Sequence, residues 1–205
     1  MSNIVRYKGS DRVNHWLVAL LFVLAAISGL ALFHPSLFFL SGVLGGGQLT
    51  RILHPFIGAI MFVSFVILYF KFWHHNILNK NDRQWLKQIG DVLADREEKL
   101  PEVGRYNGGQ KLVFWLMTIT MLLLVVSGLA FWRPYFAHMF AMDTVRLAAV
   151  VHAVAAWVLI LGIIVHVYAS IWVKGTIKGM WTGIVSSAWA RKHHPGWYKE
   201  INGGK

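Results

Sequence analysis

No cysteine occurs among the 205 residues. Disulfides, cysteine-ligated iron–sulfur clusters, thiolate-bound haem and covalently attached haem are therefore excluded within this chain. Any redox centre must be held by histidine or methionine, and a partner must deliver any electrons that pass. Acidic side chains are scarce as well, nine against twenty Lys and Arg. Charged residues make up only 14 % of the chain and apolar ones 56 %, a balance foreign to soluble domains.

In place of charge there are four apolar runs, residues 15–33, 53–73, 112–132 and 148–172. Each approaches or exceeds the roughly 20 residues that a helix needs to cross a bilayer. They predict an all-α protein, an integral membrane four-helix bundle. The basic residues sort by connection: three precede the first span, eight lie between positions 71 and 111, and six follow Trp172. The two other connections hold only Arg51, Arg133 and Arg146. Positive residues stay on the cytoplasmic side, which predicts both termini cytoplasmic in a multi-pass protein. The net charge of +11 thus reads as topology and contact with anionic lipid, and no nucleic-acid partner is expected. The basic, then apolar, N-terminus resembles a signal peptide, but no small-x-small cleavage site precedes His34; a retained first helix is expected.

Residues 1–175 form the expected membrane domain and residues 176–205 a basic tail. In that tail Ile177, Met180, Trp181, Ile184, Val185, Ala188 and Trp189 recur at helical spacing, with Lys178, Arg191 and Lys192 between them. One amphipathic C-terminal helix lying at the membrane interface is predicted. Docking against the loop of Trp85, Ile89 and Val92 is an open alternative.

Two segments align without gaps at an offset of 99 residues: "HWLVALLFVLAAISGLALFHP" at 15–35 and "FWLMTITMLLLVVSGLAFWRP" at 114–134. His54 in the second span matches His152 in the fourth at nearly that offset. The pattern reads as a duplicated two-helix unit. The halves differ at one telling place, because His15 corresponds to Phe114. Each span also holds a glycine, Gly29, Gly58, Gly128 or Gly162, which lets a helix or a flat cofactor approach the backbone.

Histidine inside hydrocarbon is costly and marks function. On a helix, the fourteen residues from His152 to His166 advance about 21 Å and return to nearly the same face. With both termini inside, His152 lies at the outer level and His166 at the inner. His54 falls at the outer level and His15 at the inner. Depth therefore allows two pairs, His54 with His152 and His15 with His166, which suit two b-type haems stacked across the membrane. Two neutral imidazoles fill both axial positions of a haem iron, an arrangement for electron transfer. Zinc would require more ligands and soft metals would require sulfur. A lone membrane histidine can also simply hydrogen-bond a neighbouring helix. His75 is a lower-ranked rival, and His34, His138, His193 and His194 read as solvated boundary residues. Arg12, Arg51, Arg133 or Lys174 would meet the propionates.

The histidine set, "RILHPFIGAIMF" at 51–62, "GRYNGGQK" at 104–111, and "WVKGTIKGMWTG" and "WARKHHPGWY" in the tail resemble the gamma subunit of membrane-bound formate dehydrogenase. That resemblance covers nearly the whole chain and implies a four-helix diheme cytochrome b. It implies a catalytic alpha subunit with molybdenum or tungsten that oxidises formate, and an iron–sulfur beta subunit that passes electrons on. The outer haem would receive them and the inner haem would pass them to membrane quinone, menaquinone or ubiquinone. The family's quinone pocket corresponds to Asn107 and Gly109, with His166 touching both haem and pocket. Without the resemblance, "YNGGQK" reads first as a turn and helix start, although Asn107 or Gln110 could bond a quinone carbonyl. No acidic residue is an obvious proton carrier. Rival functions are the cytochrome b subunit of a nickel–iron hydrogenase, a haem-free transporter using the histidines, and a passive membrane anchor.

Overall fold

The computed structural model describes residues 2–94, 96 and 99–203. Four long helices carry the spans: α1 (Gly9–Phe33), α2 (Gly47–Phe72), α5 (Gly108–Phe131) and α6 (Met142–Trp172). Two short helices, α3 (Lys80–Lys87) and α4 (Ile89–Leu93), lie between α2 and α5. All four long helices are long and apolar enough to cross a membrane. Each begins four to six residues before the apolar run it contains. Helix starts are set by capping of the first amides, which hydrophobicity does not register. α5 shows how: Oδ1 of Asn107 accepts from the Gln110 amide at 2.9 Å, and Oε1 of Gln110 accepts from the Asn107 amide at 3.0 Å. This reciprocal pair is a capping box.

The chain forms two compact units. One comprises residues 13–70 and 117–164. Its core gathers Met61 of α2, Met121 of α5 and Leu159 of α6, and α1 adds Val18, Leu21, Phe22 and Ala25. Large apolar side chains point the other way too: Val63, Ile67, Leu122, Val126, Val154 and Leu161 are all exposed. A soluble protein would bury such a surface, whereas lipid solvates it at no cost. The protein is an integral membrane protein.

The other unit comprises residues 1–12, 71–116 and 165–205. Here the tail departs from the single expected helix. It breaks into α7 (Thr176–Thr182), a strand β2 (Ile184–Ser186), α8 (Ser187–His193) and α9 (Pro195–Ile201). β2 pairs antiparallel with β1 (Asn3–Val5), so Ile184 and Val185 belong to a strand and the helical spacing there is coincidental. Gly183 makes the break. Its φ of +82° ends α7, and a Cβ there would lie 2.6 Å from the Tyr7 carbonyl oxygen, so only glycine fits. Val185, Ala190 and Trp197 form this unit's small core. Residues 204 and 205 of the expected tail lie outside the described residues.

Candidate functional site

The Ser-Gly pair repeated in α1 and α5 builds the same seat twice. In the first hairpin, Oγ of Ser28 donates to the Leu24 carbonyl at 2.7 Å, and its oxygen lies 2.8 Å from Nδ1 of His54. In the second, Oγ of Ser127 donates to the Leu123 carbonyl at 2.5 Å, and Nδ1 of His152 lies 3.2 Å from that oxygen and 3.0 Å from the Leu124 carbonyl. A carbonyl can only accept, so Nδ1 of His152 carries the proton, and Nε2 is left with its lone pair. Such a bond to the far nitrogen fixes the tautomer that a metal-binding imidazole needs.

The adjacent glycines let the rings in. A Cβ on Gly29 would come within 3.2 Å of Cε1 of His54, and one on Gly128 within 3.3 Å of Cε1 of His152. A Cβ on Gly58 would meet nothing within 4 Å, so the spans' glycines are not equivalent. The seats bring His54 and His152 together, with ring centroids 6.3 Å apart and planes at 70°. Phe131 stands edge-on to His152 at 5.1 Å. Nearby, Arg51 lines a cavity of about 390 Å³ with His34, Pro35 and Phe38. Arg12, by contrast, donates to the Trp181 carbonyl.

His15 is half-buried in α1 and His166 half-buried in α6. Asn107 caps α5, which uses its Oδ1 and leaves Nδ2 as the side chain's remaining donor. Gly109 faces Trp85, since a Cβ there would lie 3.0 Å from that ring. His75 is half-buried beside His74, with ring centroids 4.0 Å apart. His34 and His138 are exposed, as expected of boundary residues.

His194 does not fit that reading, being only 2 % exposed. Its Nδ1 donates to the Gly104 carbonyl at 3.1 Å, and its Nε2 accepts from Nη2 of Arg6 at 3.2 Å. Burial first, then the Arg6 guanidinium, pushes its pKa well below the ordinary histidine value. Arg6 is buried among the faces of Tyr7, Tyr106, Trp189 and Trp197, with its guanidinium carbon 4.8–5.8 Å from their centroids. A buried charge pair, Lys111 with Asp82 at 2.7 Å, lies ahead of α5's apolar stretch. The sequence did hold a signal for the arginines: "RYKG" at 6–9 and "RYNG" at 105–108 recur at the repeat's offset of 99.

The model of the prokaryotic cytochrome b561 family matches residues 6–183 of this chain. The chain belongs to the prokaryotic cytochrome b561 family. Among curated relatives of this cytochrome, the formate dehydrogenase cytochrome b556(fdo) subunit of Escherichia coli (strain K12) is 50 % identical over 198 residues, covering 97 % of this chain and 93 % of the relative. The nitrate-inducible cytochrome b556(Fdn) subunit of the same organism is 48 % identical, with 97 % and 91 % covered. The formate dehydrogenase cytochrome b556 subunit of Haemophilus influenzae is 40 % identical over 199 residues, with 97 % and 84 % covered. Membership implies b-type haem and electron transport. His54 and His152 fit that group. Two imidazoles on one iron, each at a metal–nitrogen distance of about 2 Å, put their centroids about 6 Å apart. Among the described residues no three His, Asp or Glu side chains gather as a metal site.

Proposed function

We propose that this cytochrome is the diheme subunit of a formate dehydrogenase complex, carrying electrons from an iron–sulfur subunit across the membrane to quinone. The observation that carries the reading is the pair of seated imidazoles, His54 and His152, at 6.3 Å between centroids. They would hold the outer haem, and His15 with His166 the inner one, by the depth arithmetic of α1 and α6. Haem supplies one-electron redox chemistry when bound. Histidines on both sides would hold the haem and leave oxygen or substrate no place to bind. The relatives' names support formate dehydrogenase over hydrogenase as the complex.

Asn107 and Gly109 would belong to the quinone pocket. Nδ2 of Asn107 donates to a quinone carbonyl in this reading, while Gly109 lets Trp85 close against the start of α5. Both termini are cytoplasmic and the complex's molybdenum or tungsten subunit works outside. Formate oxidation then releases its proton and two electrons outside, and quinone takes two electrons and two protons, the protons from inside. Moving each electron inward opposes the membrane potential by about 2.3 kcal/mol per 100 mV for a full crossing, energy conserved as a proton gradient.

Reduced-minus-oxidised spectra of the purified protein test the assignment. Two low-spin b-type signals are expected, one lost in His152→Ala and the other in His166→Ala. A folded but colourless protein, or both signals surviving either substitution, would refute it.

A further inference from the structure

The segment just before Asn107 is pinned by both chain termini. Three successive carbonyls are taken in turn. Val103 accepts from the Gly196 amide at 3.0 Å, Gly104 from Nδ1 of His194 at 3.1 Å, and Arg105 from Nη2 of Arg6 at 2.8 Å. Glu102 is tied as well, its side chain to Nζ of Lys199 at 2.5 Å and its carbonyl to Nδ2 of Asn81 at 3.0 Å. The contacts are close by design of the sequence, since a Cβ on Gly196 would stand 2.9 Å from the Val103 oxygen. His194 joins the set into one unit, because the same imidazole that holds Gly104 accepts from Arg6, which holds Arg105. Residues 100–107 lie in no helix or strand, so these bonds, with the capping box of α5, decide where the chain delivers Asn107.

From this we infer that His194 is a positioning residue for the quinone site: through Gly104 and Arg6 it sets the place of Asn107. The inference rests on the reading of Asn107 as a quinone-binding residue. A side chain that only stabilised the fold would not change quinone affinity separately from electron transfer. A positioning residue does, because misplacing a donor by a fraction of an ångström weakens binding while leaving the redox centres intact.

The test uses haem-loaded protein in native membrane vesicles, reduced with dithionite and mixed rapidly with the soluble naphthoquinone menadione. His194→Ala is expected to raise the half-saturating menadione concentration about tenfold, with the limiting reoxidation rate within about twofold and the haem spectrum unchanged. His194→Asn restores an N–H toward Gly104 and is expected to recover most of the loss. A folded, haem-loaded His194→Ala with wild-type half-saturation overturns the inference. If that variant does not accumulate, Gly196→Ala, whose methyl would press on the Val103 carbonyl, carries the same expectation and the same refutation. Asn107→Ala separates the two layers. If it raises half-saturation and the tail variants do not, only the positioning role is lost; if it changes nothing, the quinone reading falls with it.

Discussion

Arg6 and Arg105 exchange hydrogen bonds through equivalent atoms: Nη2 of Arg6 donates to the Arg105 carbonyl at 2.8 Å, and Nη2 of Arg105 to the Arg6 carbonyl at 2.5 Å. They stand at matching places ahead of α1 and α5, 99 positions apart. The reciprocity is what a duplicated hairpin that includes the segments preceding the spans predicts. It is incomplete, because Arg6 alone meets His194 and the two tail indoles at closest range.

That asymmetry orders two substitutions. Arg6→Lys and Arg105→Lys each lose a fork that lysine cannot reproduce, at about 1–3 kcal/mol for bonds to a charged donor. Arg6→Lys is expected to cost more, since it also leaves Nε2 of His194 without its donor. Denaturant unfolding of both variants in detergent checks the order.

Gly29→Leu should fill the space that the His54 ring occupies and abolish one b-type spectral signal. Gly128→Leu should do the same through His152. Gly58→Leu, on the same apolar helices but facing open space, should retain both signals. Equal damage from all three would show that helix propensity or insertion, and not the imidazole seat, is at stake.

Lys111→Met strands a carboxylate that is 1 % exposed, and loss of one partner of a buried pair costs about 3–5 kcal/mol. Adding Asp82→Asn should recover part of that loss. Recovery should stay partial, because the carboxylate also accepts from the Asn79 amide at 2.8 Å in the cap of α3. A double-mutant cycle on thermal midpoints measures the coupling.

Acid should loosen the segment that His194 holds. The folded protein keeps this imidazole neutral, so below the ordinary histidine value of about 6.5 the unfolded segment binds a proton that the folded one refuses. Stability is therefore full above that pH. It falls toward the lowered folded value by at most about 1.36 kcal/mol per pH unit. Arg6, Arg105 and His193 face the ring and oppose its protonation. Exchange of the Gly196 amide, which donates to the Val103 carbonyl, should rise below pH 6.5 and be flat above it once corrected for intrinsic pH dependence. In His194→Asn the pH step should vanish.

The spans and the Ser-Gly motif were legible because a bilayer imposes its length and polarity on any sequence that crosses it. The pairing of His54 with His152 followed from helix rise and direction alone. The tail was not legible. Its seven apolar positions satisfy a helical period, yet one glycine at Gly183 with φ +82° and a strand partner 180 residues away override it. His194 was hidden by its surroundings, since "RKHH" reads as solvated charge until distant carbonyls arrive to satisfy the ring. Asn107 showed both faces of its motif: the capping box confirms the helix start and still leaves Nδ2 available.

The twin seats carry a historical implication. Ser28, Gly29 and His54 repeat in Ser127, Gly128 and His152, so one ancestral hairpin, dimerised about a two-fold axis, would already have supplied both opposed rings. His15 has no such counterpart, because Phe114 stands at its matching position. On that ordering the His54–His152 pair is the older feature and His15 the later one.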